Sequence, residues 1–199
     1  MKRRKILASI AATLPLAGCT SMQAPSKSGV SPENLRSAAE FPLQSEQAGI
    51  SVNVTSDLTE LDAEFTVGVV RGESDSHPPQ IGGVFKNTSD KKQKFTFGSD
   101  APLSPTADES PNPKVHLRTP PSDGEYEQDG CWKSPSNAWL SNMVLAELEP
   151  GETISNRLDV LGAPDRDTCL PSGTYEFSQP VGRFDTEKEG SLIFTLTLP

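Results

Sequence analysis

The chain has 199 residues, with 18 Lys and Arg against 27 Asp and Glu, a formal net charge of -9, three cysteines and two histidines. That length suits one domain with appendages, and the excess of acid argues against a nucleic-acid partner, because affinity for a phosphate backbone rests on Lys and Arg. His77 and His116 offer little for imidazole catalysis or a His-rich metal centre, so no catalytic residue, metal ligand or cofactor is assigned.

Lys2-Arg3-Arg4-Lys5 is a basic leader, followed by an apolar run from Ile6 to Gly18. Thirteen helical residues reach only about 20 Å, short of a hydrocarbon core of about 30 Å, and Pro15 interrupts the run. An export signal fits better than a membrane span. Leu16-Ala17-Gly18-Cys19 resembles the lipobox of lipoprotein signal peptides, which implies cleavage before Cys19 and a diacylglycerol on its thiol. Arg3-Arg4-Lys5-Ile6-Leu7 also resembles a twin-arginine signal, although Ile6 stands where Phe is usual, so the twin-arginine and general export routes both stay open. Removing residues 1–18 takes away four basic residues and no acid, leaving 14 basic and 27 acidic residues, a side-chain balance of -13. Such a surface repels anionic lipid and suits high salt, as in a halophile.

Residues 19–47 are expected to be the lipidated cysteine and a flexible tether, being largely Ser, Ala, Gln, Pro and Glu. Within it, Ser31-Pro32-Glu33 could start a short helix to about Ala39, or the stretch could be disordered. The folded domain is expected over 48–199. There the apolar residues alternate: Ile50, Val52 and Val54; Phe65, Val67 and Val69; Phe95 and Phe97; Val115 and Leu117; Ile154, Leu158 and Val160; Tyr175 and Phe177; Leu192, Phe194, Leu196 and Leu198. Period-two runs broken by Gly, Pro, Asn and Asp predict strands with one buried face, and no helix long enough for a parallel crossover intervenes. The predicted fold is an all-β, immunoglobulin-like antiparallel β-sandwich of about seven to nine strands.

Asn87-Thr88-Ser89-Asp90 is expected to turn a hairpin between runs at 81–86 and 93–98. Leu148-Glu149-Pro150-Gly151-Glu152 is expected to hold a type II turn. Thr119 to Gly130, rich in proline, glycine and acids, is expected to be an exposed loop. With Cys19 assigned to lipid, Cys131 and Cys169 remain as a pair in an oxidising setting, and a disulfide between them is predicted.

These segments, with His77-Pro78-Pro79-Gln80-Ile81, Phe95-Thr96-Phe97-Gly98, Gly130-Cys131-Trp132 and the run from Cys169 to Phe177, occur in an order that resembles uncharacterised haloarchaeal lipoproteins. More distantly, residues 75–199 are similar to immunoglobulin-like domains of the BsuPI proteinase-inhibitor type. The resemblance implies a sandwich with Tyr175 packed at a corner, and says little about activity.

Ser89-Asp90-Lys91-Lys92 matches Ser-x-x-Lys but falls in a predicted turn without companion motifs, so it is set aside. The acids of 123–129 could face Ca²⁺ but lack a regular ligand spacing. Asn53-Val54-Thr55 and Asn87-Thr88-Ser89 match the glycosylation pattern. Trp132 and Trp139 are the candidate interaction residues, with packing near the disulfide as the alternative.

Together these features point to a non-enzymatic binding or structural module of the cell envelope. It is held on the extracellular face of the membrane by its lipid, or in the outer membrane or periplasm of a Gram-negative host. Its other partner, an envelope protein or ligand, is not identified by the sequence. The alternatives are a proteinase inhibitor presenting loop 119–130 and a divalent-cation or solute-binding accessory protein.

Overall fold

The structure is a computed structural model that describes residues 36–37, 41–120, 127–128 and 131–199. It is all-β, with two antiparallel sheets facing each other across one core. In chain order the strands are β1 (Arg36–Ser37), β2 (Glu46–Gln47), β3 (Ile50–Val54), β4 (Ala63–Arg71), β5 (Gln80–Asn87), β6 (Gln93–Phe97) and β7 (Thr106–Ala107). They continue with β8 (Val115–Arg118), β9 (Glu127–Gln128), β10 (Cys131–Trp132), β11 (Val144–Leu148), β12 (Thr153–Gly162), β13 (Gly173–Arg183) and β14 (Glu189–Leu198). The first sheet runs β4-β5-β12-β8-β7, with β1 also paired to β12; the second runs β11-β6-β13-β14-β3-β2. A 3-10 turn, Thr59–Leu61, precedes β4.

The alternation read from the sequence is the core. Val67, Val69, Ile81, Val115, Leu117, Leu158 and Val160 of the first sheet meet Ile50, Val52, Phe177, Phe194, Leu196 and Leu198 of the second. Phe177 stacks on Phe194 with centroids 5.2 Å apart. At one end of the sandwich Phe85 meets Phe95 and Phe97 edge-on at 4.9 and 5.0 Å, an arrangement favoured by the aromatic quadrupole.

The predicted hairpin at 87–90 does not form. β5 and β6 lie in different sheets, so the connection is an arch across the sandwich, and the Pro150-Gly151 turn makes a second arch from β11 to β12. Gly151 takes the positive φ of +76° that the turn requires, and Glu152 N–H donates to Glu149 O at 3.0 Å. Asn87 ties the arches together. Its buried Nδ2 donates to Lys91 O at 2.8 Å, Leu148 O at 3.0 Å and Glu149 O at 3.2 Å, while its Oδ1 accepts from Ser89 N and Oγ. Ser89 is thereby held to the turn and Lys92 pairs with Glu147 and Glu149 at 2.7 Å each, so Ser-x-x-Lys here is turn chemistry.

The domain begins earlier than position 48. Arg36 and Ser37 pair with Ser155 and Ile154 as a strand, where a helix or disorder was expected. Phe41 is buried over Gly82, where a Cβ would lie 2.3 Å from its ring, and Gln44 bridges to Val69. The tether expected to reach Gln47 therefore gives way to folded chain by Phe41.

Between β6 and β7 the chain passes through the sandwich interior, where neither sheet can satisfy its backbone. Two side-chain amides do so. Asn156 of β12 accepts from Leu103 N at 3.1 Å and donates to Leu103 O at 2.7 Å; Gln179 of β13 accepts from Ser104 N at 2.7 Å and donates to Ser104 O at 2.9 Å. Gln179 and Ser104 are both buried. Gln179→Met keeps the volume but leaves a buried N–H and C=O unpaired, at about 1–3 kcal/mol each. We expect denaturant unfolding to show a loss of about 2–4 kcal/mol, and a loss under about 0.5 kcal/mol would contradict this role for Gln179.

Candidate functional site

The site lies on the outer face of the first sheet, where β8 sits between β12 and β7. Val115 and Leu117 point into the core, so His116 points outward, with Leu161 and Ala107 as its cross-strand neighbours. Three connections rise around His116 and enclose a cleft of about 490 Å³.

The first wall is the segment between β7 and β8, carrying Asn112 and Pro113. Asp108 fixes it by accepting from Ser110 N at 3.0 Å, Lys114 N at 2.7 Å and Val115 N at 2.8 Å. Burial alone would raise the Asp108 pKa, but the hydrogen bonds from Ser110, Val115 and Lys114 outweigh it and hold the carboxyl below its ordinary value. The second wall is the chain after β10, with Asn137 and Trp139. Arg118 organises it: Nε donates to Ser134 Oγ at 3.0 Å, Nη1 to Ala138 O at 2.8 Å and Nη2 to Ser136 O, while the guanidinium lies 3.9 Å from the Trp139 ring centroid. The third wall follows β12 and carries Ala163, Asp165 and Arg166. It is tied to the others by Ala163 N to Lys114 O at 2.9 Å, Asn137 Nδ2 to Asp165 Oδ2 at 2.6 Å, Arg166 Nη2 to Asn112 O at 3.2 Å and Lys133 Nζ to Arg166 O at 2.7 Å.

The predicted disulfide Cys131–Cys169 is present and braces the second wall to the third, with Cα atoms 4.9 Å apart. It needs Gly162: a Cβ there would lie 1.6 Å from Cys169 O. The bridge flanks the sheet and does not cross between the two sheets, unlike the inter-sheet bond of antibody domains. The corner expected of Tyr175 is there, its half-buried hydroxyl sharing one proton between Pro171 O at 3.1 Å and Ser172 O at 3.0 Å.

The two tryptophans separate into different roles. Trp132 is buried against Leu161 and its Nε1 donates to Ser74 O at 3.2 Å, a packing role. Trp139 is 36% exposed and meets the His116 ring at 4.9 Å. Asn53 is exposed on β3, whereas Asn87 is fully buried with its amide engaged, so in the folded domain the amide of Asn87 is closed to a modifying enzyme. Cys19 lies outside the described residues, as does most of 119–130, including the acids at 123 and 125 and the greater part of the proposed inhibitory loop; residues 127–128 pair with Cys131–Trp132 as a short hairpin. Among the described residues no group of three or more His, Cys, Asp or Glu side chains is placed to hold a metal ion.

His116, Asn112 and Asn137 are residues of the cleft that the sequence did not single out. For His116 the signal was present: it is the polar position between two core residues, and its outward direction follows from that phase. No family model, curated protein or solved structure matches the chain.

His116 is 2% exposed and its Nδ1 has no hydrogen-bond partner. Burial, reinforced by the charge of Arg118 and opposed by Asp108 and Asp165, pushes the imidazole from 6.5 down to about 4, so it is neutral at pH 7. The unfolded chain takes up this proton near pH 6.5 and the folded one only near pH 4, so stability falls as pH drops through that window, by at most about 3 kcal/mol. Burial pushes the Asp100 and Asp159 carboxyls up, which acts in the opposite sense. His116→Phe isolates the histidine's share: the unfolding free energies of the two proteins should diverge with pH between about 4 and 6.5, and a pH-independent difference would contradict it.

Proposed function

We propose that the protein is an exported, lipid-anchored module of the cell envelope that binds a small ligand in the His116–Trp139 cleft and performs no chemistry of its own. The cleft is the observation that carries the reading. It is concave, of ligand size, and joins an aromatic wall to a few fixed polar groups. Its residues are spent on one another in ways that suit holding rather than reacting. Asp165 is bonded to Asn137, Arg166 to Asn112 O, and among the described residues His116 Nδ1 has no hydroxyl, thiol or carboxylate hydrogen-bonded to it. Anchoring rests on the Lys2-Arg3-Arg4-Lys5 leader, the apolar run and Leu16-Ala17-Gly18-Cys19. The acidic surface suits an extracytoplasmic position in high salt, and the distant likeness to inhibitor domains extends to the sandwich alone.

Cys19→Ala tests the anchor. In the native host the wild-type chain should sediment with membranes and incorporate labelled fatty acid, and the variant should do neither. Wild-type protein found unlipidated in the soluble fraction would overturn the assignment.

A further inference from the structure

We infer that the cleft between Asn112, His116, Asn137, Trp139, Asp165 and Arg166 is a binding site for a neutral, hydroxyl-rich ligand of monosaccharide to disaccharide size. The inference rests on the small-ligand reading above and adds the chemical class. The cleft's size, about 490 Å³, lies within the range of about 300–1,000 Å³ typical of small-molecule sites. Its lining carries one carboxylate and one guanidinium, adjacent in sequence, so the lining has no net charge. Each has a neutral hydrogen-bond partner, Asn137 for Asp165 and Asn112 O for Arg166, which orients it, and the two opposite charges sum to zero across the lining. What they retain is spare hydrogen-bonding capacity: lone pairs on Asp165, N–H groups on Arg166 and the carbonyl of the Asn137 amide. A wall that mixes donors and acceptors in this way matches hydroxyl groups, each of which donates and accepts.

Two further observations point to a ligand. The His116 ring, 2% exposed, lines the cleft with Nδ1 unpartnered, and a buried polar atom in that state is destabilising unless something pairs with it. The atom is closed to solvent, so a ligand hydroxyl would supply that partner only with a shift of the surrounding side chains. Trp139 stands beside it as an apolar surface, held in place by the Arg118 guanidinium at 3.9 Å. An indole next to fixed amide and carboxylate groups fits a pyranose, which carries an apolar C–H face and a polar rim.

The test uses the mature chain with its disulfide intact. Glucose, galactose, mannose, N-acetylglucosamine, maltose and cellobiose are titrated by calorimetry, with tryptophan fluorescence as a second readout; Trp132 is buried and bonded to Ser74 O, so a change reports Trp139. Glycine and sulfate serve as zwitterionic and anionic probes. At least one saccharide should bind saturably with Kd on the order of 1 mM, as expected for a ligand of about a dozen heavy atoms. Trp139→Ala and Asn137→Ala should each weaken binding about tenfold or more while the denaturant midpoint stays close to wild type. Saccharide binding that survives both substitutions overturns the site. Preference for glycine or sulfate, lost in Trp139→Ala, overturns the ligand class but upholds the small-ligand reading. Absence of binding by every probe overturns both, whatever Cys19→Ala shows about the anchor.

Discussion

The sandwich depends on a problem set by its own connectivity. After β6 the chain turns inward and runs between the sheets, so that Leu103 is a core residue, although a chain segment in that position has no ladder to satisfy its amides. Asn156 and Gln179 supply the missing ladder from opposite walls, one residue of backbone each. The two sheets are thus joined by polar contacts through the middle of an apolar core, which fixes their relative position more tightly than non-directional burial alone. Gly83 completes the fit, since a Cβ there would lie 2.6 Å from the Leu103 side chain. Removing either amide leaves the threaded segment without its partner and the sheets without a shared reference.

Every support of the cleft descends from that frame. β12 presents Asn156 inward and, a few residues on, leads into the third wall, while β8 puts Leu117 into the core and Arg118 under the second. The cleft is built from connecting segments, where sheets of this kind carry their binding surfaces. Those segments are unusually well tethered: Asp108 closes one, Arg118 another, and the disulfide and Lys133 the last. Ordering of this sort would reduce the entropy lost on binding the proposed ligand.

Much of the fold was legible because its signal is local. Alternating Val, Phe and Leu state which side of a strand is buried, and every such run proved to be a strand with that face inward. Asn87-Thr88-Ser89-Asp90 misled because a polar turn looks the same whether it returns the chain to the same sheet or carries it to the other; the deciding contacts are with Leu148 and Glu149, some 60 residues away. Asn156 and Gln179 were invisible for a related reason. A polar residue in a strand reads as solvent-facing, and only the threaded segment explains why these two face the interior. For the site, Trp139 could be noticed as an aromatic residue in a polar stretch, but its meeting with His116 requires Arg118 to gather the intervening loop.

On the proposed export of the chain, the burial of Asn87 would make its sequon a record of timing. A glycosylating enzyme must approach the amide nitrogen, and in the folded domain that nitrogen is enclosed by the carbonyls of Lys91, Leu148 and Glu149. Asn53 stays open on an outer strand face before and after folding. A chain that crosses the membrane unfolded presents both asparagines to extracytoplasmic enzymes, whereas one that crosses already folded presents only Asn53. If the chain is exported as proposed, the sugar pattern would report the conformation in which it crosses, the choice that Arg3-Arg4-Lys5-Ile6-Leu7 leaves open.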